Sequence, residues 1–213
     1  MTVWGPTGIA ATADDAEELA AGGTCETGSS DLELGYESGS AKVVGLWYDN
    51  ITIPNGYTID SAYIQFEADE STTETTNLTI HCQDADDPPT FAATSNNIYN
   101  RPRTTASVAW SNIPSWNVGE RGANQKTPDL ASIVQEVVSR GGWASGQAMV
   151  FLFSGTGARV AESDPGGDSA ALTITYSEPA ASGYGNDVFT VPSANIGKVF
   201  SVETANISKV YGS

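Results

Sequence analysis

The sequence is short of the side chains that carry most covalent chemistry. It holds one histidine, His81, and two cysteines, Cys25 and Cys82, in 213 residues. A serine triad would have to use His81, and no G-x-S-x-G elbow accompanies it. A Cys–His pair fails on direction, because in "NLTIHCQD" residues 81 and 82 face opposite sides of one strand. The glycine-rich "SGTGA" at 154–158 lacks the Lys-Ser/Thr and the helix of a phosphate loop. Carboxylate pairs of the kind glycosidases use are plentiful, but so acidic a chain supplies many by accident. The expectation is a non-enzymatic protein that requires no cofactor. The two cysteines leave two readings, buried free thiols or one Cys25–Cys82 disulfide.

Positive charge is scarce as well. Nine Lys and Arg stand against 26 Asp and Glu, a formal charge of −17. Residues 1–178 hold 24 of the acids and 7 of the bases, and 179–213 hold two of each. Such a field disfavours nucleic acid and anionic membranes as partners. No apolar run approaches the roughly 18 residues that cross a bilayer. "MTVWGPTGIAATADDAEE" has neither the basic start nor the apolar core of a secretory leader. The expectation is that the chain reaches the outside by a route other than ordinary secretion, for instance on the surface of a virus particle released by lysis, with an extracellular location as the alternative.

What the sequence does have is short β-branched runs separated by turn residues, which predicts an all-β, jelly-roll-like antiparallel β-sandwich over 1–178. "DLELGY" alternates Leu32 and Leu34 inward. "KVVGLWYDNITI" puts Val44, Leu46 and Tyr48 on one face, and Val43 and Trp47 on the other. A turn at Pro54-Asn55-Gly56 leads into "SAYIQFEAD", with Ala62, Ile64, Phe66 and Ala68 inward. "NLTIHCQD" alternates too, "QAMVFLFSG" is apolar on both faces like a central strand, and "ALTITYS" closes the body at Ser177. Between them, residues 84–116 read as a long decorated connection. One amphipathic helix is expected at about 128–140, with Thr127 as N-cap, Pro128 at its first position and a stripe of Leu130, Ile133, Val134, Val137 and Val138. After a linker at 179–193, residues 194–213 carry a near-repeat at a spacing of 11. Ala194-Asn195-Ile196-Gly197-Lys198-Val199-Phe200 returns as Ala205-Asn206-Ile207-Ser208-Lys209-Val210-Tyr211. Two short extended pieces are expected there, with Ile196, Val199, Phe200, Ile207, Val210 and Tyr211 as apolar pegs for a partner.

Two sets of candidate ligand residues follow from the composition. Carboxylates clustered on loops suit Ca²⁺, and Asp14, Asp15, Asp84, Asp86 and Glu162 are the candidates for a structural calcium, in "DDAEE", "HCQDADD" and "AESDPGGD". The bland alternative is a solvated acidic surface. Flat aromatics on the outer side of strands suit sugar rings, and Trp47 and Tyr63 fall there by alternation; the alternative is that another layer covers them. Arg101 and Arg103 would fit acid pairing on the same face, with a structural role as the favoured alternative.

Across "DDAEE", "SSDLELGYE", "VGLWYDNITIPNGYTIDSAYIQFEADE", "LTIHCQDADDPPTF", "RPRTTASVAW", "TPDLASIVQEVVSRGGW" and "ARVAES…ALTITY", residues 10–177 resemble the DNRLRE-like, carbohydrate-binding-module-like β-sandwiches of secreted bacterial proteins. That resemblance implies a non-catalytic attachment or structural module. The terminal repeat resembles the endings of tailed-bacteriophage structural proteins. Together they imply a capsid decoration or cement protein, with other virion proteins (major capsid or tail proteins) and its own copies as partners in a homo-oligomer. The alternative is a carbohydrate-binding or adhesion module that recognises surface glycans.

Overall fold

The computed structural model describes residues 1–163 and 169–179 and, beyond these, only the backbone of 198–199 and 202–203. The chain divides into two compact units, Met1–Ser177 and Glu178–Ser213.

The first unit is an antiparallel β-sandwich. Its strands are β1 (Thr2–Thr7), β2 (Asp15–Leu19), β3 (Asp31–Glu37), β4 (Ser40–Ile51), β5 (Thr58–Gln65), β6 (Thr76–Cys82), β7 (Val108–Ile113), β8 (Gln147–Thr156), β9 (Ala158–Glu162) and β10 (Ala171–Ser177). One layer runs β7-β6-β8-β4, with β2 on the far edge of β4; the other runs β1-β10-β5. β3 leaves β4 through the turn Ser38-Gly39, both at positive φ, which matches the mirror-image turn that twisted hairpins prefer. It then pairs along its length with β9. β9 is held on its other edge by the chain after β5, through the Ala68–Ala161 bridge and the Glu162 amide donating to Glu67 O. The second layer therefore curls round to meet the first.

Alternation sets the main core. Val44, Leu46 and Tyr48 from β4, Met149, Phe151 and Phe153 from β8, and Leu78, Ile80 and Cys82 from β6 face Ala62, Ile64, Leu172 and Ile174. Phe66, Trp110, Trp116 and Phe153 pack as one aromatic group, with ring centroids 5.6–6.3 Å apart. The outer face of the first layer is buried as well, which explains why β8 is apolar on both sides. Ala16, Val43, Val150 and Leu152 form a second cluster with Cys25, Phe91 and Ile98. The connection after β6 lies over that face. Gly45 admits it: a Cβ there would come within 2.5 Å of the Phe91 ring. Cys82 belongs to the main core and Cys25 to the second cluster, so β4, β6 and β8 separate them and both are free thiols.

Arg101 holds the covering connection in shape. Its guanidinium sits 4.4 Å over the Phe91 ring and donates to Asn97 O (3.0 Å), Gln83 Oε1 (2.8 Å), Pro89 O (2.9 Å), Thr90 O (3.0 Å) and Asn97 Oδ1 (3.2 Å). Arg101 thus takes a structural role rather than an acid partner, since oxygen acceptors of this connection and of Gln83 occupy every N–H. Arg103 likewise donates to the carbonyls of Tyr99 and Arg101.

The helix, α1 (Ala131–Val138), buries the expected stripe but starts later than Thr127 and Pro128 suggested. Residues 127–130 serve the free edge of β5 instead. Thr127 N donates to Ile64 O, Thr127 Oγ1 accepts from Ile64 N, Leu130 N donates to Ala62 O, and Asp129 Oδ1 accepts from Ala62 N. Satisfying a sheet edge outweighs the local capping preference. The second correction is at the N-terminus, where "DDAEE" was expected to be a loop; most of it forms β2, whose first four residues are buried.

In the second unit, β11 (Lys198–Val199) and β12 (Val202–Glu203) pair antiparallel, Lys198 opposite Glu203 and Val199 opposite Val202. β12 lies in the spacer between the two copies of the repeat, so this pair does not set one copy against the other. The pegs Ile196, Phe200, Ile207, Val210 and Tyr211, and the side chain of Val199, lie outside the described residues.

Replacing Arg101 with Met keeps the bulk over Phe91 but strips donors from three backbone carbonyls. Pro89 and Thr90 are exposed and Asn97 is half-buried, so water takes up part of the loss; at about 0.5–1.5 kcal/mol per hydrogen bond removed, the expected loss is roughly 2 kcal/mol. Urea unfolding, with limited proteolysis at 84–104, measures it; an unchanged midpoint and cleavage pattern would show that the connection is held by other contacts.

Candidate functional site

The single histidine and the two cysteines each have a structural setting. His81 is half-buried on β6 with Nδ1 3.1 Å from Thr104 O, a contact that favours the Nδ1–H tautomer. Burial pushes the Cys82 thiol well above its ordinary range, and burial with the nearby Glu18 carboxylate raises Cys25 to about 11. Neither sulfur is a thiolate at neutral pH.

The five carboxylates proposed for calcium are not brought together. Asp84 and Asp86 flank the Arg140 guanidinium; Asp84 Oδ1 takes its Nη1, and Asp86 Oδ1 accepts from Nε at 2.6 Å. That cation already supplies the counter-charge expected of a metal. Asp87 accepts from Ala148 N (2.9 Å). Asp14 and Asp15 lie at the start of β2, and Glu162 lies on β9 opposite Asp31. Asp164 and Asp168 lie outside the described residues. The structure instead gathers Asp31, Asp69 and Glu70, with one carboxylate oxygen of each within 4.8 Å of the others. The Ser29 and Ser30 hydroxyls donate to Asp31 Oδ1. The pairing of β9 with both β3 and residues 67–69 creates this triad, so no local spacing could have signalled it. Its three carboxylates amount to about half of the six to eight oxygens that Ca²⁺ takes.

A second acidic group is internally neutralised. The buried Lys42 ammonium reaches Glu17 Oε1 (3.0 Å), Glu37 Oε2 (2.8 Å) and Glu26 Oε2 (3.9 Å). Glu17 Oε2 also accepts from Glu33 N (3.1 Å). Burial alone would raise the Glu17 carboxyl, but the hydrogen bonds from Glu33 and Lys42 outweigh it and hold it below its ordinary value. Burial, and then the Glu17 carboxylate beside it, push Glu33 up to about 9. At neutral pH Glu33 is therefore the protonated partner and Glu17 the ionised one.

The aromatic candidates separate as well. Tyr63 points from the outer face of β5, with the Lys126 ammonium 4.3 Å from its ring. Trp47 lies on the outer face of the opposite layer beside the second cluster, its indole N–H donating to Pro88 O (2.8 Å). They cannot form one platform. Trp110, Trp116 and Trp143 are core residues, 6%, 0% and 3% exposed. Trp4, which has no alternation to mark it, is the one that meets Trp47. It projects from β1, donates through Nε1 to Asn50 O (3.0 Å), and lines with Trp47 a cleft of about 230 Å³ bordered by Asp14, Asp49 and Asn50. Asp14 is 7% exposed and accepts from the Thr90 hydroxyl (3.1 Å). Burial raises its carboxyl, an effect opposed by that hydroxyl and the amides of Ala11 and Ala10 and reinforced by the Asp49 carboxylate.

No protein-family profile matches the chain, and a search of curated proteins finds no match.

The Glu33 carboxyl gives a pH signature. Its folded value of about 9 lies above the ordinary 4.5, so it favours the fold fully below pH 4.5, and that contribution is lost as pH rises towards 9. Glu33→Gln keeps a donor towards Glu17 but cannot ionise. Urea midpoints at pH 5, 7 and 9 are expected to shift progressively in favour of the variant; parallel profiles would refute the shared-proton assignment.

Proposed function

We propose that this chain is a non-enzymatic structural protein of a tailed-bacteriophage particle, a capsid decoration or cement subunit that presents its sandwich and attaches through its C-terminal segment. The observation that carries this reading is the division of the chain into two compact units, the second of which carries the duplicated apolar segment. β10, the last strand of the sandwich, has both edges occupied, by β1 and by β5. A body closed in this way needs no further strand, which frees 178–213 for another subunit, such as a major capsid or tail protein or a second copy of this chain. Two near-equivalent apolar segments on one linker raise avidity without a large interface on either. The DNRLRE-like resemblance of residues 10–177, typical of modules that attach rather than catalyse, agrees with this role.

A second reading, recognition of surface glycans by an adhesion module, is favoured by the cleft between Trp4 and Trp47. It accommodates the same attachment logic, with the ligand on the sandwich rather than on the tail.

Deleting 178–213 tests the first reading. The truncated protein is expected to unfold at the temperature of the full chain while losing self-association in light scattering and co-sedimentation with phage particles. If particle binding and oligomeric state survive the deletion, or if mass spectrometry of purified particles never finds the chain, the virion reading fails.

A further inference from the structure

We propose that the cleft between Trp4 and Trp47 binds one uncharged pyranose ring, with Asp49 and Asn50 fixing its hydroxyls. The assignment rests on the glycan-recognition reading and names its site and ligand class.

Of the five tryptophans, three are locked in the core, and the two half-buried ones converge on this cleft from opposite layers, Trp4 on β1 and Trp47 on β4. Each indole N–H is already engaged by a backbone carbonyl, Asn50 O for Trp4 and Pro88 O for Trp47. What the rings offer a ligand is apolar surface held at a set angle, and little ordering entropy remains to oppose binding. Stacked C–H faces of a sugar suit such surface. The polar border supplies both senses of hydrogen bond. Asp49 accepts, and the Asn50 amide both donates and accepts. A diol needs that combination, since each hydroxyl is donor and acceptor at once.

Other ligand classes fit less well. A net charge of −17 and two carboxylates at the mouth repel sialic acids and uronates. A quaternary ammonium would use the indoles but leave the Asn50 amide without a role. At about 230 Å³ the cleft falls below the roughly 300–1,000 Å³ of sites that enclose drug-sized ligands, so it holds one ring while neighbouring units of a chain extend into solvent. Per-site affinity is then on the order of millimolar, and multivalent presentation is what makes the contact useful.

The test uses the full-length protein on an array carrying neutral gluco-, galacto-, manno- and N-acetylhexosamine oligosaccharides beside sialylated and uronate glycans. The methyl glycoside of the strongest series is then titrated by tryptophan fluorescence, with choline chloride as the cationic probe. Trp47→Ala risks unseating Pro88, so the informative variants are Asp49→Ala and Asn50→Gly. Asn50 sits at φ 51°, a conformation glycine adopts without strain, so that variant removes the amide and keeps the turn. Each is expected to weaken binding about tenfold with the unfolding temperature unchanged, and Trp4→Phe by a similar factor. Tyr63→Ala, on β5 and outside the cleft lining, is expected to have no effect. Glycan binding that ignores the cleft variants overturns this site and leaves glycan recognition standing. Silence across the whole array overturns both. Binding confined to acidic glycans or to choline overturns the neutral-sugar assignment.

Discussion

The geometry of the cleft depends on a cation, Arg101, that pairs with none of the described carboxylates. Arg101 directs its guanidinium into oxygen acceptors of the connection between β6 and β7, four of its five contacts falling within residues 89–97. Those contacts fix Pro89 and Thr90, and the residues beside them do the rest: Pro88 O receives the Trp47 indole, and the Thr90 hydroxyl reaches both Asp14 Oδ1 and Ala13 O. Phe91, under the guanidinium, sits in the gap that Gly45 leaves on β4. A segment with no regular pairing thus becomes as determined as a strand, because its carbonyls meet a rigid fork of donors. Arg159 plays the same part at the opposite end of β8. It is 1% exposed and donates to Pro114 O, Glu74 O, Ile113 O and the Thr76 hydroxyl.

These two arginines mark the limit of what the sequence discloses. β4, β5, β6, β8 and β10 are legible because their inward residues alternate or, for β8, because both faces are apolar; periodicity is a local property and survives without knowledge of the partner strand. The start of α1 was misjudged because Thr127, Pro128 and Asp129 have the right chemistry for a cap, while the demand that overrode it came from Ala62 and Ile64, far away in sequence. β2 went unseen for a related reason. Its buried Asp and Glu invert the usual pattern, and Lys42 with the amide of Glu33 at Glu17, and the amides of Ile98 and Tyr99 at Glu18, help make that burial tolerable. Trp4 lies in "TVWGPT", with no periodic pattern, and its pairing with Trp47 exists only once two layers are stacked. Arg101 could be noticed as a base in an acidic chain, but its partners are carbonyls, which leave no trace in composition.

The same structure explains how so acidic a body stays folded. Charge is removed from the interior in three ways: a shared ammonium at Lys42, a proton retained between Glu17 and Glu33, and hydrogen bonds from backbone amides to Glu18. Asp14 and Asp15 are buried as well, and most of the other described carboxylates are half-buried or exposed, where salt screens them. An ammonium between acids is the economical arrangement when bases are few, since Lys42 alone answers Glu17, Glu26 and Glu37. The metal sites expected from the sequence counted carboxylates without counting the cations that the fold delivers to them, Arg140 beside Asp84 and Asp86 being the clearest case.

On the proposed reading, attachment and recognition belong to different parts of the chain, and this separation has a physical rationale. A cleft that takes a single sugar ring is weak by itself and gains from repetition, whereas a particle lattice supplies repetition at no further cost in binding surface. Anchoring, by contrast, must persist through many encounters, which favours a duplicated apolar segment over one small pocket. Placing the anchor beyond Ser177 leaves β1, β10 and β4, which carry or support Trp4 and Trp47, free of the partner's geometry. On this reading a change of partner acts on 178–213 and a change of ligand on the cleft, which fall in different compact units.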